Sequence, residues 1–338
     1  MNQYDWNQKH KQFDAALDAD QAEFQAMLSG TANMDAAIGI EKMAGVIDDA
    51  LIEAGNSWNE RQMRIENNSG AIGDEIGRRV ALMREAYPFE VNDTGSLLHR
   101  PSKTGVYEFC LTVARNPTGV SDGVPNASAI FEMISRDVVA LHLGTGTSSF
   151  RSGAPPYEFE LRGNSARETF LELQKRCGEF KWNPDAGFPD DPTYKHLKDI
   201  GLDIVVWKPW PDGRLAQFFA LAQCACGKND VDSKKGRELS VKRLETWLRP
   251  VCHVDPVRCF LVAHHIPNTM QLYEISREAG LVFDRARIAL IAEAFPEQIK
   301  PPENIDYHKM AKLYANPRAG QPTLSPRSQK AVVEPRSR

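Results

Sequence analysis

Two apolar runs separated by a turn constrain the fold of this chain more strongly than any other feature. Residues 200–207 read IGLDIVVW, and residues 215–225 read LAQFFALAQCA. Their β-branched and aromatic content is typical of strands, and the Pro and Gly residues of 209–213 indicate a turn between them. We therefore expect a hairpin of two antiparallel, largely buried strands.

Each strand of this hairpin carries one polar side chain within its apolar run. Asp203 interrupts the first strand and Gln223 the second. An unpaired carboxylate is costly in an apolar environment, so a carboxylate in such a place usually has a cation nearby. Adjacent strands could bring both side chains to one metal ion. The alternatives are a half-exposed edge strand for Asp203 and a satisfied core amide for Gln223.

Helical patterns lie on both sides of the hairpin, which predicts an α/β fold. The first helix begins after Asn126, whose side chain is suited to the start of a helix, and it ends at Gly144. It carries Glu132, and a Gly/Ser/Thr loop follows it. The other elements expected in this part of the chain are helices over 165–180, 233–248, 269–280 and 283–295 and a strand over 257–265.

Together with lysines that follow the hairpin, these side chains supply what metal-dependent phosphodiester cleavage requires. Oxygen ligands hold a divalent cation that activates water, and a basic group offsets the charge that builds up on the phosphate. Glu132, Asp203 and Gln223 provide oxygens. Lys228 or Lys234 provides the amine.

Other interpretations of the same region remain open. Glu132 would otherwise lie on a solvated helix face, with Glu168 as the competing acidic residue. The basic helix that begins near Lys234 either faces solvent or contacts a DNA backbone. Cys224 and Cys226, with the cysteines and histidines that follow, form either a core-packing group or a zinc site, although Cys-x-Cys matches no zinc motif.

In the order of these elements and residues the chain resembles the PD-(D/E)XK, or restriction-endonuclease-like, nucleases. The core of that superfamily runs helix, strand, strand, helix, strand. Its first helix often carries Glu beside an aromatic residue, matched by FE at 131–132, and its Asp strand is matched by GLDIVVW at 201–207. The second strand normally reads Glu or Gln, one residue, then Lys. This chain has QCA at 223–225, with Ala225 at the lysine position.

The resemblance covers roughly residues 100–290 and implies a restriction-endonuclease-like mixed sheet flanked by helices. The run QCACGKN is also similar to a segment of nuclease-like proteins from bacterial phage-defence loci. The implied function is a metal-dependent nuclease that cleaves DNA in such a defence system, with Mg²⁺ or Mn²⁺ as cofactor.

The resemblance also assigns roles to individual side chains. The implied catalytic residues are Glu132, Asp203, Gln223, Lys228 and Lys234, and the implied metal ligands are Asp203, Gln223, Glu132 and the backbone carbonyl of Cys224. One of the two lysines would replace the amine missing at Ala225. The same departure favours an alternative: a catalytically inactive nuclease-fold subunit that binds DNA or assembles with an ATPase or helicase from the same operon. A homodimer is compatible with either function.

Composition changes along the chain predict three parts: an acidic, mainly helical region over 1–90, the nuclease-like α/β core over 91–298, and a mostly disordered Pro/Ser/Arg-rich tail over 299–338. The net charge is −4, but residues 1–60 hold 11 acidic and 3 basic side chains, so the rest of the chain is mildly basic. The acidic region could pack on the core or dock a partner.

Membrane and secreted classes are not expected. No stretch approaches the roughly 18 consecutive apolar residues of a membrane span, and the first ten residues lack the apolar segment of a secretory signal. Six cysteines in 338 residues are too few for a disulfide scaffold. We expect a cytoplasmic protein.

Overall fold

Helices and short strands alternate along the chain in the computed structural model, which describes residues 6–33, 58–116, 126–151, 166–181, 201–227, 239–245, 248, 252–299, 301 and 305–315. The helices of these residues are α1 (Trp6–Ser29), α2 (Trp58–Met83), α3 (Val106–Arg115), α4 (Ala127–Leu143), α5 (Ala166–Cys177), α6 (Val241–Leu244), α7 (Thr269–Ala279), α8 (Arg285–Ala294) and α9 (Tyr307–Ala315). The strands are β1 (Thr31–Asn33), β2 (Phe89–Val91), β3 (Ser96–His99), β4 (Ser148–Arg151), β5 (Ile204–Lys208), β6 (Phe218–Ala225), β7 (Val257–Val262) and β8 (Leu281–Phe283).

The centre of the fold is a mixed five-stranded sheet in the order β4-β5-β6-β7-β8. The expected hairpin is present, because β5 and β6 pair antiparallel from Ile204 opposite Ala222 to Lys208 opposite Phe218. β4 is antiparallel to β5, whereas β7 and β8 run parallel to β6. The structure therefore confirms the α/β class with a mixed sheet flanked by helices.

Helices cover both faces of this sheet. On one face, Ile134 of α4 belongs to the same buried cluster as Ile204 of β5. On the other, Leu173 of α5 is clustered with Val205, and Ile275 of α7 with Phe260 of β7. Because successive side chains of a strand point to opposite faces, strands covered on both sides read as continuous apolar runs. This is why the hairpin was visible in the sequence.

Several helix boundaries follow from capping residues. The Asn126 side chain accepts hydrogen bonds from two backbone amides at the start of α4, and Asn268 does the same at α7. Asp284 caps α8 by accepting from the amide of Arg287. α7 ends at Gly280, which has a φ of 88°. A Cβ at Gly280 would lie 2.2 Å from the carbonyl oxygen of Arg258, so only glycine fits where α7 turns into β8.

Some elements differ from the prediction. β4 lies where a Gly/Ser/Thr loop was expected. Its polar residues have no strong strand propensity of their own and form a strand because they pair with β5. β8 occupies the three residues between Gly280 and the cap of α8. β7 ends at Val262, so His264 and His265 follow the strand. The basic helix over 233–248 is described only as α6, and residues 228–238 lie outside the described residues.

The N-terminal helices share a buried cluster with the core. Ala19 and Ala26 of α1 and Ile76 of α2 are clustered with Leu111 of α3 and Ala289 of α8. A second, three-stranded sheet in the order β1-β3-β2 lies beside them, although no strand was expected before residue 88. The acidic region thus packs on the rest of the protein, which was one of its two predicted roles.

The proposed division into three parts stays a prediction, but two elements lie across or beyond its boundaries. β2 spans the boundary at residue 90. Within the predicted tail, α9 packs on α3, and the rings of Tyr307 and Tyr314 lie 5.8 Å and 6.0 Å from that of Phe109. Residues 316–338, expected to be disordered, lie outside the described residues. No described helix is both long and apolar enough to cross a membrane.

Candidate functional site

Asp203 lies directly before β5 and bonds to the neighbouring strand through both its backbone and its side chain. Its amide donates to the carbonyl oxygen of Ala222 over 3.0 Å. The amide of Cys224 donates to its Oδ2 over 2.7 Å. The carboxylate therefore accepts a backbone hydrogen bond at the end of the hairpin, which explains how a charge is tolerated beside apolar strands.

Gln223 lies on β6, as expected, and is 2% exposed. Its neighbours in the strand, Ala222 and Cys224, belong to the cluster that includes α4. Alternation along the strand therefore directs the Gln223 side chain to the opposite face, which it shares with Leu221 and Ala225. Its predicted convergence with Asp203 on one ion stays a prediction.

Glu132 lies on α4 and is paired with a cation that the sequence did not indicate. Nη1 of Arg151 lies 2.7 Å from Oε2 of Glu132, and the two side chains are 8% and 22% exposed. Arg151 is on β4, opposite Ile204 of β5. Because β4 was not predicted, nothing in the sequence indicated that this arginine would reach α4.

The two carboxylates, one from α4 and one from the start of β5, lie around a single residue of β6. Burial raises the pKa of the Cys224 thiol well above its usual value, and the charges of Asp203 and Glu132 raise it further. Asp203 contacts Cys224 through the backbone amide, and Glu132 lies on α4, which packs over the face of β6 that carries the Cys224 side chain. Oxygen ligands from different elements around one strand end are the donor type that Mg²⁺ prefers.

The lysine position of the resemblance is buried. Ala225 is 2% exposed and belongs to a cluster with Phe260 and Val262 of β7. An amine for this site would have to come from another segment. The two candidates, Lys228 and Lys234, lie outside the described residues.

The zinc interpretation gains no support. Burial raises the pKa of the Cys226 thiol, and it raises that of Cys259 to about 12, as expected for cysteines that pack in a core. Within the described part of the chain, no group of three or more His, Cys, Asp or Glu residues is arranged to hold a metal ion.

A second polar cluster, which we call the charge network, lies between the N-terminal helices and the core and was not predicted. Its members are Asp20, Glu23, Glu75, Arg79, His265, Asp284 and Arg285, joined by Tyr87 and Tyr107. Arg79 is fully buried, and its Nη1 lies 2.7 Å from Oδ1 of Asp20 and 2.7 Å from Oε1 of Glu23. Its Nε lies 2.9 Å from Oε1 of Glu75. One guanidinium therefore binds three carboxylates.

Arg285 forms the second centre of the charge network. It is fully buried and pairs with Asp20, and its guanidinium carbon lies 5.0 Å from the ring centroid of Tyr107. Burial alone would raise the pKa of Asp20, but Arg285 and Arg79 hold it well below its usual value. The pair of Asp20 and Arg285 therefore links α1 to α8 through a charged contact inside the protein.

Comparison of the chain with protein-family models, with curated proteins and with solved structures finds no match in any of the three. The geometry of the site is thus the basis for the functional conclusions.

Proposed function

We propose that the protein is a metal-dependent nuclease that cleaves phosphodiester bonds of DNA. The observation that carries this proposal is the position of two carboxylates from separate elements at the end of β6. Asp203 accepts a hydrogen bond from the Cys224 amide, and Glu132 lies on α4, which packs over the same face of β6 as Cys224. The elements α4, β5, β6, α6 and β7 also follow the helix–strand–strand–helix–strand order of the restriction-endonuclease-like core, with β4 and α5 inserted between α4 and β5. We further propose that it acts in the cytoplasm of a bacterium, in anti-phage defence.

In this proposal the protein side chains orient a divalent cation and a phosphate. Mg²⁺ or Mn²⁺, when bound, would polarise the phosphate and make hydroxide available near neutral pH. Asp203 would be a ligand, oriented by the Cys224 amide, and Glu132 would be a second ligand, held in place by Arg151. The Cys224 carbonyl would complete the oxygen ligands on the α4 side of the sheet, whereas the Gln223 side chain points to the other face.

The amine of the site would come from the segment that follows β6. Lys228 or Lys234 would offset the charge that builds up on the phosphate, because the position of Ala225 offers only a methyl group.

The decisive variant is Asp203→Asn. An asparagine keeps an oxygen that can accept the Cys224 hydrogen bond but removes the charge that a metal requires. We expect Mg²⁺-dependent cleavage of duplex DNA to fall by at least about 10²-fold, as when other electrostatic stabilisers of a transition state are removed. The thermal midpoint should change by only a few degrees.

The matched control is Asp212→Asn in the turn of the same hairpin. The Asp212 side chain is 46% exposed and pairs with Arg214, so its charge should not affect cleavage. Full activity in Asp203→Asn, or equal losses in the two variants, would contradict the nuclease proposal.

One observation favours a second function, that of a catalytically inactive subunit. Glu132 already pairs with Arg151, and Asp203 already accepts a backbone hydrogen bond, which is also the pattern of a purely structural site. Such a subunit would bind DNA or assemble with an ATPase or helicase, as a monomer or homodimer. Calorimetric titration of the parent protein with Mg²⁺ separates the two functions: no heat of binding, together with DNA binding without cleavage, supports the inactive subunit.

A further inference from the structure

A buried histidine of the charge network lies between two carboxylates that come from different parts of the fold. Nε2 of His265 is 3.3 Å from Oε1 of Glu75 on α2, and its Nδ1 is 3.2 Å from Oδ2 of Asp284 at the start of α8. The three side chains are 6%, 1% and 5% exposed. A neutral imidazole has a single N–H, so only an imidazolium, which has two, can donate to both carboxylates at once.

Both carboxylates are held in place by other contacts, so neither can easily turn away from the ring. Asp284 accepts hydrogen bonds from the amides of Ile266 and Arg287, each over 3.1 Å. Glu75 is also bound by Arg79 and, over 2.8 Å, by Arg78. Loss of the imidazolium proton would therefore leave one fixed carboxylate facing a ring nitrogen lone pair.

The surrounding elements carry an excess of buried negative charge, which the proton on His265 reduces. The buried charged groups of the network are Asp20 and Glu23 from α1, Glu75 and Arg79 from α2, and Asp284 and Arg285 from the start of α8. Four carboxylates thus face two guanidiniums, and Arg78, which is 48% exposed, lies at the rim. Protonated His265 reduces the excess of negative charge, which is costly in a buried place.

We propose that His265 is a proton-operated latch that fastens α2, and with it α1, to the α/β core. With the ring charged, the latch joins Glu75 of the N-terminal helices to Asp284 of the core. With the ring neutral, one of the two contacts is lost. The loosened helices would then uncover the faces of α3 and α8 that they bury, around Leu111 and Ala289. This device does not depend on nuclease chemistry.

The direction of the pH effect follows from the surroundings of the ring. Burial and the charge of Arg79 lower the pKa of His265, but the nearby carboxylates of Asp284 and Glu75 outweigh them, and the pKa is raised above 6.5. A group whose pKa is higher in the folded state stabilises that state below its unfolded pKa, and loses this effect as the pH rises through the folded pKa. The latch is therefore fully closed below about pH 6.5, and it opens as the pH rises through the higher pKa of the folded state.

Hydrogen exchange of the full chain tests the latch, with the chemical pH dependence of exchange corrected for each peptide. Between pH 6 and pH 9 the protection factors of peptides from residues 70–83 of α2 should fall by about tenfold or more, since one pH unit of differential protonation corresponds to a factor of ten. Peptides from α4 should change much less, because none of the named residues of the charge network lies on α4.

Variants identify the group that responds to pH. His265→Gln, which has no titratable ring, should lose the pH dependence in α2. His142→Gln, at an exposed ring packed edge-on against Phe283, should keep it. The same pH dependence in His265→Gln as in the parent would overturn the latch.

A direct titration of the parent protein covers the case in which His265→Gln does not fold. The imidazole nitrogen signals of His265, followed by NMR, should titrate with a pKa above 6.5, and both nitrogens should carry protons at pH 6. A pKa below 6.5, or protection of α2 that does not change with pH, would contradict the proposal.

Discussion

Replacing Arg79 by methionine tests whether the charge network stabilises the packing of the N-terminal helices. Methionine has a similar length and no charge, so Arg79→Met leaves Asp20, Glu23 and Glu75 without their shared cation. Removing one partner of a buried ion pair typically costs about 3–5 kcal/mol, because a buried charge is left uncompensated.

The structure places the expected loss near the lower end of that range. Asp20 keeps its pair with Arg285, and Glu23 keeps hydrogen bonds from the hydroxyls of Tyr87 and Tyr107 over 2.5 Å and 2.8 Å. Glu75 keeps His265. We therefore expect the free energy of unfolding at pH 7 to fall by about 3 kcal/mol in urea unfolding followed by circular dichroism.

The neighbouring residue supplies the control. Arg78 lies on the same helix and also pairs with Glu75, but its side chain is 48% exposed, so Arg78→Met should cost less than about 1 kcal/mol. Equal losses in the two variants, or a loss below about 1 kcal/mol for Arg79→Met, would refute the role of the buried network.

The pH dependence of the Arg79→Met effect gives a second check. Burial would raise the pKa of Glu75, but His265 and Arg79 lower it to about 2. A carboxylate with a lowered pKa stabilises the fold above its unfolded pKa of about 4, and this stabilisation is lost as the pH falls through the folded value. Arg79→Met lacks much of this stabilisation. The difference in the free energy of unfolding between the parent and the variant should therefore shrink as the pH falls from 4 to 2, near those two pKa values. A constant difference would contradict this explanation.

Two further substitutions, with Gly213→Ala as a control for the first, test the geometry of the core and of the candidate site. Gly280→Ala should cost more than about 2 kcal/mol in the same urea assay, because its Cβ would meet the Arg258 carbonyl at 2.2 Å. Gly213→Ala, at a φ of 68° in open space, should show only the backbone cost of about 1–2 kcal/mol. Arg151→Met should cost roughly 1.5–3 kcal/mol by leaving the partly buried Glu132 without its charged hydrogen bond. A change below about 0.5 kcal/mol would show that this pair is not structural.

The hairpin of β5 and β6 could be predicted from the sequence because burial on both faces leaves a continuous apolar signature. The start of α4 could be predicted because Asn126 is a strong capping residue. β4 and β8 could not, since short strands at the sheet edges obtain their conformation from pairing with β5 and β7, which the local sequence does not record.

The candidate site was only partly predictable for the same reason. Asp203 stood out as a charge in an apolar run, whereas the partner of Glu132 did not, because Arg151 is 19 residues away on an unpredicted strand. The charge network gave no local signal at all. Arg79 and Asp20 are 59 residues apart, and an acidic residue in a polar helix looks the same in the sequence whether it is solvated or buried.

The contact between Asp20 and Arg285 has a consequence for how the protein is made. The two residues are 265 positions apart, so α1 leaves the ribosome long before α8 is synthesised. Until then the carboxylates of α1 can pair with Arg79 of α2 but not with Arg285, so the docking of α1 on α8 has to wait. The docking of α1 is therefore a late event in the folding of the nascent chain, and closing so long a loop makes it a slow one.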